Sequence, residues 1–298
     1  MELITHCPAK VATWPACSGE TFVPAPAGPL GEVLGMGPGC QCTRAPETGF
    51  PLLAVVDTAE GSQFDALLRG FRRRVSLPDS AAAIALSGRK FHGQRGRPWQ
   101  ALEGNIHLSA YFSPQCPLAP LAPALTMLPA VAALRTIQDL LPDTEVGIKW
   151  VNDLLIQGQK TSGVLTSTIT KGLNVETVLF GIGMNVGVAP EIVQTPFVPA
   201  TTCLAKHGSV DFSTVLFRLL QHVSDLFKEL LEQGPDGIAR DYVDHNLVIG
   251  RAVRIAPEDE DGSRETLVRG VVTAIRPDLC LELEGRAEPV RRGRLAFD

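Results

Sequence analysis

The sequence has no excess of basic residues and no long uninterrupted apolar run. Lys and Arg total 27 against 32 Asp and Glu in 298 residues, a net charge of -5. Because binding to a phosphate backbone needs a basic surface, this balance argues against a general nucleic-acid binder. The longest apolar stretch, residues 117–141, contains prolines and the charged residues Arg135 and Asp139, so we expect no membrane span.

Paired cysteines are also lacking. The seven cysteines are scattered, and Cys40 and Cys42 form a CxC pair with no second pair to match it. An odd, scattered set argues against a disulfide framework and against a zinc site, so we expect free thiols in a reducing cytoplasm. The N-terminus shows no charged start followed by an apolar run, so we do not expect a signal peptide.

The pattern along the chain indicates more than one region. Residues 1–50 are rich in Pro, Gly and Cys and are predicted to be an irregular segment of unknown role. In residues 51–246, short buried runs and stretches of helical spacing predict an α+β domain, with a mixed or antiparallel sheet backed by helices. Residues 247–298 hold short β-rich runs separated by Gly, Asp and Pro, which predict a small barrel of about five strands.

A glycine-rich cationic segment stands out in the first of these domains. Residues 88–109 read GRKFHGQRGRPWQALEGNIHLS. Gly93 and Gly96 allow backbone N–H groups to approach an anion closely, and Arg95 and Arg97 can pair with phosphate or carboxylate oxygens. Trp99 adds a flat apolar surface beside the charges. The segment therefore predicts an anion-binding loop with an apolar wall.

The two histidines of this segment do not resemble metal ligands. His92 and His107 lie among arginines, without a nearby cluster of Asp, Glu or Cys. Such a cluster is what a metal site requires, so we expect other roles. His92 is expected to contact a ligand through the loop, and His107 to face the pocket or the core as an ordinary strand residue.

A second segment, KWVNDLLIQGQKTSGVL at residues 149–165, is predicted to be a hairpin. Lys149 closes one strand and Lys160 lies where the hairpin returns. An ammonium at a strand end can project into a pocket and neutralise charge between a carboxylate and a phosphate. Asn152 and Asp153 either hold a ribose, a phosphate or Mg²⁺, or form a plain turn.

The run GIGMNVG at residues 181–187 also places small residues of a predicted strand beside a polar side chain. Gly181 and Gly183 have no side chains, so a flat ring can lie against the strand at these positions. Asn185 offers an amide that both donates and accepts, which suits adenine or phosphate oxygens.

Three ordered motifs resemble the catalytic domain of biotin–protein ligases. GQRGRPW with GN and HLS, KWVNDLL with GQKTSGVL, and GIGMNVG match the family pattern GRGR.GR.W with G.NLY.S, KWPNDL with KI.GIL.E, and GIG.N. VIGRAVRI, GVVTAIRPDLCLELEG and RRGRL resemble the family's small C-terminal SH3-like barrel. The resemblance covers residues 51–298.

The resemblance implies a two-step ligase. Biotin's carboxylate attacks the α-phosphate of ATP, helped by Mg²⁺, and gives biotinyl-5′-AMP and pyrophosphate. A lysine of a biotin carboxyl carrier domain then attacks the mixed anhydride and releases AMP. Two anions must meet in such a reaction, which agrees with the positive charge of the two segments. The family also makes a homodimer through a sheet edge conceivable.

Residue roles follow from the resemblance at matching positions. It implies biotin contacts by Thr58, His92, Gly93, Gln94, Trp99 and Lys160. It implies ATP contacts by Arg95, Gly96, Arg97, Lys149, Asn152 and Asn185, with Asp153 on the metal side. Lys160 and Arg95 are the implied catalytic residues, and Lys160 would touch both the biotin carboxyl and the α-phosphate.

The chain departs from the family pattern at several of these positions. Asp57-Thr58-Ala59 replaces Ser-Thr-Asn, and Phe91-His92-Gly93-Gln94 replaces the first Gly-Arg-Gly-Arg, so two arginines are lost. Val151 replaces a proline and Ser167 a glutamate. These changes bear on how tightly the adenylate is retained and on which acyl substrate is used.

Three other functions fit the sequence less well than biotin ligation. A lipoate or octanoate ligase shares the fold and the adenylation chemistry, but the C-terminal barrel and KWVND favour biotin. An acyltransferase would need Cys203 as its nucleophile, whose neighbours indicate an ordinary loop residue. A catalytically weak biotin-binding regulator is the third alternative. Residues 1–50 are too short and too rich in Pro and Gly for the winged helix that many family members carry.

Overall fold

The structure is a computed structural model that describes residues 1–256 and 268–298. Its helices are α1 Pro8–Val11, α2 Gly28–Val33, α3 Gln63–Arg72, α4 Ala122–Leu140, α5 Phe212–Gln233 and α6 Asp236–Asp244. Its strands are β1 Glu2–Thr5, β2 Val23–Pro24, β3 Gln41–Arg44, β4 Leu52–Ala59, β5 Ser80–Gly88, β6 Phe91–His92, β7 Pro98–Trp99, β8 Ile106–Phe112, β9 Cys116–Pro117, β10 Val146–Lys149, β11 Asp153–Ile156, β12 Gln159–Lys171, β13 Asn174–Met184, β14 Ala252–Ala256, β15 Val268–Ile275, β16 Leu281–Leu283 and β17 Arg294–Phe297.

The central sheet is mixed, as the sequence predicts. Its strand order is β10-β11-β12-β13-β8-β5-β4-β1-β3-β2, and β9 pairs with β13. β4 runs parallel to β1 and to β5, whereas β8, β13, β12, β11 and β10 follow as antiparallel neighbours. A parallel pair needs a crossover connection, which α3 supplies between β4 and β5. The predicted α+β class is confirmed.

The first 50 residues are part of this sheet, which differs from the predicted irregular segment. β1 pairs with β4 on one side and β3 on the other, and β2 forms the edge. Leu3 and Val11 are fully buried in the main core. Lys10 of α1 lies 2.7 Å from Asp57 and 2.9 Å from Glu103, so the segment is also tied to the sheet by charge. The strands are short and lack strict alternation, which hides them from a pattern search.

Helices cover both faces of the sheet, so β8 is buried along its whole length. Alternate side chains of a strand point to opposite faces. Ile106 and Leu108 pack with α4 and α5 on one face, while Tyr111 meets Phe71 of α3 on the other, with ring centroids 4.8 Å apart. His107 and its neighbours at alternate positions share the face of Tyr111. This face carries the candidate site.

The C-terminal region forms a second sheet, in the order β16-β15-β14-β17. All of its pairs are antiparallel. Trp150 donates its indole N–H to the carbonyl of Leu279 at 2.8 Å, which fixes this sheet against the end of β10. The predicted run that begins at Glu265 lies partly outside the described residues. The predicted border near residue 246 and closure into a barrel stay predictions.

Two further sequence expectations concern membranes and thiols. Within residues 1–256 and 268–298, no helix combines the length and the apolar character needed to cross a bilayer. The seven cysteines are free thiols.

Candidate active site

A patch of very small residues forms the floor of the site. In the register of β12, β13 and β8, Gly163 lies beside Gly183, which lies beside His107. One row further along, Gly181 lies beside Ser109. Residues with little or no side chain leave a shallow space on a face that is otherwise packed by α3. The hollow follows from the local sequence, because Gly163, Gly181 and Gly183 lie close together on neighbouring strands and carry no side chains.

Two aromatic rings lie on these glycines. A Cβ at Gly183 would stand 2.4 Å from Cζ2 of Trp99, and a Cβ at Gly181 would stand 2.9 Å from Cδ2 of Phe64. Both distances are shorter than real carbon contacts, so each ring needs a glycine beneath it. The sequence predicted a flat ring over Gly181 and Gly183. The structure places the protein's own Trp99 and Phe64 there, and they become walls of a cavity.

A hydrogen-bond chain fixes the orientation of Trp99. Its indole N–H donates to Nδ1 of His107 at 3.2 Å, and the Nε2–H of His107 donates to the carbonyl of Leu102 at 3.0 Å. Burial lowers the pKa of His107 to about 4, although the bond to Leu102 acts in the opposite direction. A neutral imidazole with its proton on Nε2 satisfies both partners. His107 therefore positions a wall of the site and has more than a packing role.

The cationic loop connects β6 to β7 through a short 3₁₀ turn at Gln94–Gly96. Arg95 has φ 61° and Gly96 has φ 71°, so two successive residues adopt the left-handed region and turn the loop tightly. Gly93 donates its N–H to the carbonyl of Arg97 at 2.7 Å. That N–H closes the loop, so the sequence expectation that it serves an anion is corrected.

His92 fastens the loop to helix α3. Its Nε2 lies 2.8 Å from Oδ2 of Asp65, and its Nδ1 lies 3.1 Å from the carbonyl of Gly93. The pKa of His92 is raised, first by the bond to the Gly93 carbonyl and then, against the effect of burial, by Asp65. The ring lines the tryptophan-side hollow and pairs with a carboxylate of the protein, while its contact with a ligand stays a prediction.

The hairpin of β11 and β12 supplies the lysine predicted to be catalytic. Nζ of Lys160 lies 2.5 Å from Oδ1 of Asp153 and 5.7 Å from the ring centroid of Trp99. Gly163 leaves room for this ammonium, because a Cβ there would stand 3.1 Å from Nζ. Lys149, at the end of β10, is only 6 % exposed, and its pKa is lowered, mainly by burial.

These groups line two neighbouring hollows. The first, the tryptophan cavity, encloses about 690 Å³ including its open mouth. Its walls include Ser62, Phe64, Phe91, His92, Gly93, Trp99, His107, Ser109, Lys160, Gly163, Gly181 and Gly183. The second, the arginine cleft, encloses about 520 Å³ and is lined by Arg95, Lys149, Trp150, Val151, Phe197, Arg291, Arg292, Gly293, Arg294 and Leu295. Four residues line both hollows: Gln94, Arg97, Asn152 and Asp153.

Three predicted site residues, Thr58, Gly96 and Asn185, line neither hollow. Thr58 bonds to the hydroxyl of Ser87 across 3.1 Å at the ends of β4 and β5. Asn185 is 1 % exposed and donates to the carbonyl of Thr202 at 3.0 Å, so it ties a loop to the end of β13. Thr58 is the penultimate residue of β4, Gly96 lies in the loop turn, and Asn185 directly follows the end of β13. Their ligand contacts stay predictions that the geometry does not favour.

Sequence reasoning missed several residues that line the hollows. Ser62 and Phe64 lie where α3 begins, four to six positions beyond Thr58 in the chain. The helical spacing that revealed α3 marked Phe64 only as core. Arg291, Arg292 and Arg294 come from the distant C-terminal sheet, and nothing in their local pattern connects them to residue 95. The cluster of three arginines in RRGR is the one sequence feature that could have indicated a role for these residues.

The arrangement suits a molecule with an apolar body and an anionic end. Aromatic rings and glycines surround the first hollow, and cations dominate the second. Lys160 and Arg97 lie where the two meet. Within the described parts of the chain, no group of three or more His, Cys, Asp or Glu side chains is placed to hold a metal ion. The positive side chains that line these hollows can pair with an anion.

Comparison with known proteins agrees with this description. Residues 77–185 match the model of the Biotin/lipoate A/B protein ligase family. The chain is 29 % identical over 182 residues to the bifunctional ligase/repressor BirA of Bacillus subtilis, covering 60 % of this chain and 55 % of that protein. It is 32 % identical over 178 residues to the biotin–[acetyl-CoA-carboxylase] ligase of Mycobacterium tuberculosis, covering 58 % and 59 %. The chain thus spans a little over half the length of these relatives.

Solved structures resemble most of this architecture. The biotin protein ligase of Aquifex aeolicus in complex with biotin and ATP superposes with a TM-score of 0.63 at 18 % identity, over 84 % of this chain and 99 % of that one. The biotin protein ligase of Leishmania major in complex with biotinyl-5-AMP gives a TM-score of 0.56 at 17 % identity, over 83 % and 98 %. At this level of identity the likeness establishes a shared fold.

Proposed function

We propose, from the site geometry and from the match of residues 77–185 to the model of the Biotin/lipoate A/B protein ligase family, that the chain is an ATP-dependent biotin–protein ligase. It activates biotin as biotinyl-5′-AMP and passes the biotin to a lysine of a carrier domain. One observation carries the proposal: an apolar, ring-lined cavity adjoins a cationic cleft, and Arg97 and Asp153 belong to the walls of both.

In the first step, a carboxylate oxygen of biotin attacks the α-phosphorus of ATP. The bond from that phosphorus to the bridging oxygen of the β-phosphate breaks, and the electron pair leaves with pyrophosphate. The ring system of biotin occupies the tryptophan cavity and the triphosphate occupies the arginine cleft. Fixed positive groups at the junction lower the repulsion between the two anions and stabilise the charge that develops.

Lys160 is the group best situated for this step. Its ammonium reaches the junction between Trp99 and Asp153, where the carboxylate and the α-phosphate would meet. Asp153 holds the side chain in place until the substrates bind. Arg97, exposed on the loop, can then turn toward the phosphate, because its side chain lines both hollows.

In the second step, a neutral lysine amine of the acceptor attacks the carbonyl carbon of the mixed anhydride. An amide bond forms, the bond from that carbon to the phosphate oxygen breaks, and AMP leaves. The proton lost by the amine passes to water or to the departing AMP. The partner in this proposal is the biotin carboxyl carrier domain of a carboxylase. A cytoplasmic location accords with ATP as co-substrate and with the seven free thiols.

Magnesium enters the proposal as a companion of the ATP phosphates. Mg²⁺ commonly binds through one or two carboxylates and the substrate phosphates. Asp153 is the carboxylate that lines the arginine cleft, and Lys160 already holds one of its oxygens. Asp153 would therefore be the protein ligand of an ion that the nucleotide brings, and the ion would supply further neutralisation of phosphate charge.

The test is a parallel incubation of the chain with ATP, Mg²⁺ and either biotin or lipoate. Mass spectrometry then detects the acyl-adenylate, and a second reaction follows AMP release in the presence of a biotin carboxyl carrier domain. We expect biotinyl-5′-AMP and a biotinylated carrier. Formation of lipoyl-AMP alone would reassign the substrate, and binding of biotin without any adenylate would make the chain a binding protein.

A further inference from the structure

The cationic loop belongs to a small hairpin that stands apart from the two large sheets. β6 and β7 have two residues each and pair with each other in a sheet of their own. A two-stranded hairpin is marginally stable at best, so side chains must fix its position. Phe91, which is buried, and Trp99, which donates to His107, hold its base. The tip of the loop, residues 93–97, needs a further anchor.

Two backbone bonds close the tip upon itself. Gly93 donates its N–H to the carbonyl of Arg97 at 2.7 Å, and Arg97 donates to the carbonyl of Gln94 at 3.4 Å. Arg95, Gly96 and Arg97 are exposed. These bonds fix the shape of the tip, but they do not fix its place above the cavity.

His92 joins the tip to helix α3. Its Nε2 lies 2.8 Å from Oδ2 of Asp65, and its Nδ1 lies 3.1 Å from the carbonyl of Gly93, the first residue of the tip. Both partners are acceptors, so both ring nitrogens donate only when the imidazole is protonated. Each bond is then charge-assisted and stronger than a bond between neutral groups. One ring therefore links a helix to the backbone where the loop begins to turn.

Asp65 has the fixed position that an anchor needs. It is a half-buried residue in the first turn of α3, between Phe64 and Leu67, which are both buried in the core. Asp65 lines neither hollow, so it can act on a ligand only through a group that it holds. A carboxylate in the first turn also favours the helix itself through the helix dipole, and a test must separate this effect from anchoring.

The place of the tip decides which groups meet at the junction of the two hollows. Gln94 and Arg97 of the tip line both hollows, and Lys160 lines the tryptophan cavity from the opposite hairpin. Arg97 and Lys160 carry like charges, so their repulsion opposes closure of the tip over the cavity. The bond between His92 and Asp65 acts against this repulsion.

We propose that Asp65 is a positioning residue of the adenylation site, which holds the tip of the cationic loop over the junction through its bond to His92. The inference rests on the proposed function, because the tip can serve an adenylate only if one is formed there. It assigns a use to His92, one of the two positions at which the loop lacks an arginine of the pattern it resembles.

The test compares Asp65→Asn, which removes the charge, with Asp65→Glu, which keeps it. A loosened tip must close when substrate binds, so the cost appears in affinity while kcat changes little. We expect Asp65→Asn to raise both the KM for biotin and the dissociation rate of pre-formed biotinyl-5′-AMP about tenfold, which is the loss of one charge-assisted bond. Asp65→Glu should restore both toward wild type. Glu60→Gln, an exposed carboxylate between β4 and α3 and outside both hollows, is the control and should match wild type.

A double-mutant cycle shows whether Asp65 acts through His92. The cycle combines Asp65→Asn with His92→Ala and follows the dissociation rate of biotinyl-5′-AMP. If the carboxylate acts through the ring, Asp65→Asn should have no further effect once the ring is gone. Effects that multiply in the double variant would overturn the inference and leave Asp65 with its effect on the helix alone.

Hydrogen exchange of the ligand-free protein reports on the tip without turnover. The amide of Gly93 should exchange faster in Asp65→Asn, whereas the amides of α3 and β8 should keep their wild-type rates. Faster exchange along α3 with an unchanged tip would mean that the carboxylate serves the helix, and it would overturn the inference.

The outcomes separate this inference from the proposed function. If the wild-type chain forms the adenylate and Asp65→Asn keeps its KM for biotin and its dissociation rate, the inference is wrong and the function stands. If the wild-type chain forms no adenylate, the function is wrong, and exchange at the tip alone decides whether Asp65 anchors the loop. Equal exchange of Gly93 in wild type and Asp65→Asn would then reject it.

Discussion

Lys160 and Asp153 face each other across the β11–β12 hairpin, with Nζ and Oδ1 2.5 Å apart at the junction of two hollows. The pair lies seven residues apart in the chain, and the turn at Gly158, with φ 77°, brings the strands back together. In the absence of substrate the carboxylate holds the ammonium. A bound carboxylate and phosphate would compete for the same cation. This exchange leads to the first prediction.

Lys160→Ala should lower the rate of biotinyl-AMP formation by about a hundredfold or more, as expected for loss of a group that stabilises developing charge. Thermal unfolding should change little, because the ion pair is partly exposed and such pairs contribute little to stability. Lys171→Ala, at the exposed end of the same strand, is the matched control and should retain full activity. Undiminished adenylation in Lys160→Ala would refute the role assigned to this lysine.

Gly183→Ala should disturb the tryptophan cavity. A Cβ at this position would meet the indole of Trp99 at 2.4 Å, so the ring must move. Overpacking of this kind typically costs about 1–3 kcal/mol, and we expect weaker biotin binding by calorimetry together with a red-shifted tryptophan emission. Gly37→Ala is the control, because a Cβ there has no atom within 4 Å. Wild-type biotin affinity in Gly183→Ala would show that the ring does not form part of the binding wall.

Most of the catalytic fold could be predicted from the sequence because its strands and helices carry regular apolar patterns. The spacing of Phe64, Leu67 and Phe71 indicated α3, and the run at residues 80–88 indicated β5. The strands of the first 50 residues could not be predicted. They are two to four residues long, and their burial depends on pairing with β4, a contact distant in sequence.

The candidate site could be predicted only in part. The motifs predicted ligand contacts for Lys160, Arg97 and Trp99, and these three residues line the tryptophan cavity. The cations Arg291, Arg292 and Arg294 of the arginine cleft have no local pattern that connects them to it. The place of Thr58 outside the cavity could not be predicted, because the sequence does not show that the chain continues past β4 before it reaches the cavity at Ser62. The direction of a side chain at a strand end depends on local turns that no periodicity records.

His107 gives the stability a specific dependence on pH. Its folded-state pKa is lowered to about 4, so below the unfolded value of about 6.5 the unfolded chain takes up a proton that the folded chain rejects. Stability due to this residue is therefore fully present above pH 6.5 and declines as the pH falls toward 4. Between pH 7 and pH 5 the loss should be on the order of 2 kcal/mol.

The measurement is urea unfolding of wild type and His107→Gln at both pH values. Glutamine can accept from Trp99 and donate to the carbonyl of Leu102, as the neutral imidazole does, but it does not titrate. Other titrating groups contribute equally to both proteins and cancel in the difference. We expect the variant to lose less stability on acidification, and parallel pH profiles would show that His107 titrates normally.

Gln94→Arg should slow the escape of the adenylate. Gln94 lines both hollows in the 3₁₀ turn, at a position where the family pattern has an arginine. A guanidinium there would add a charge-assisted bond to the adenylate phosphate, and one such bond corresponds to roughly a tenfold slower dissociation. The dissociation rate of pre-formed biotinyl-5′-AMP, followed by release into excess scavenger, gives a direct comparison. Gln159→Arg, which adds the same charge on an exposed stretch of β12 outside both hollows, should dissociate at the wild-type rate. Equal rates in wild type and Gln94→Arg would refute the prediction and show that the arginine missing at position 94 has no effect on adenylate retention.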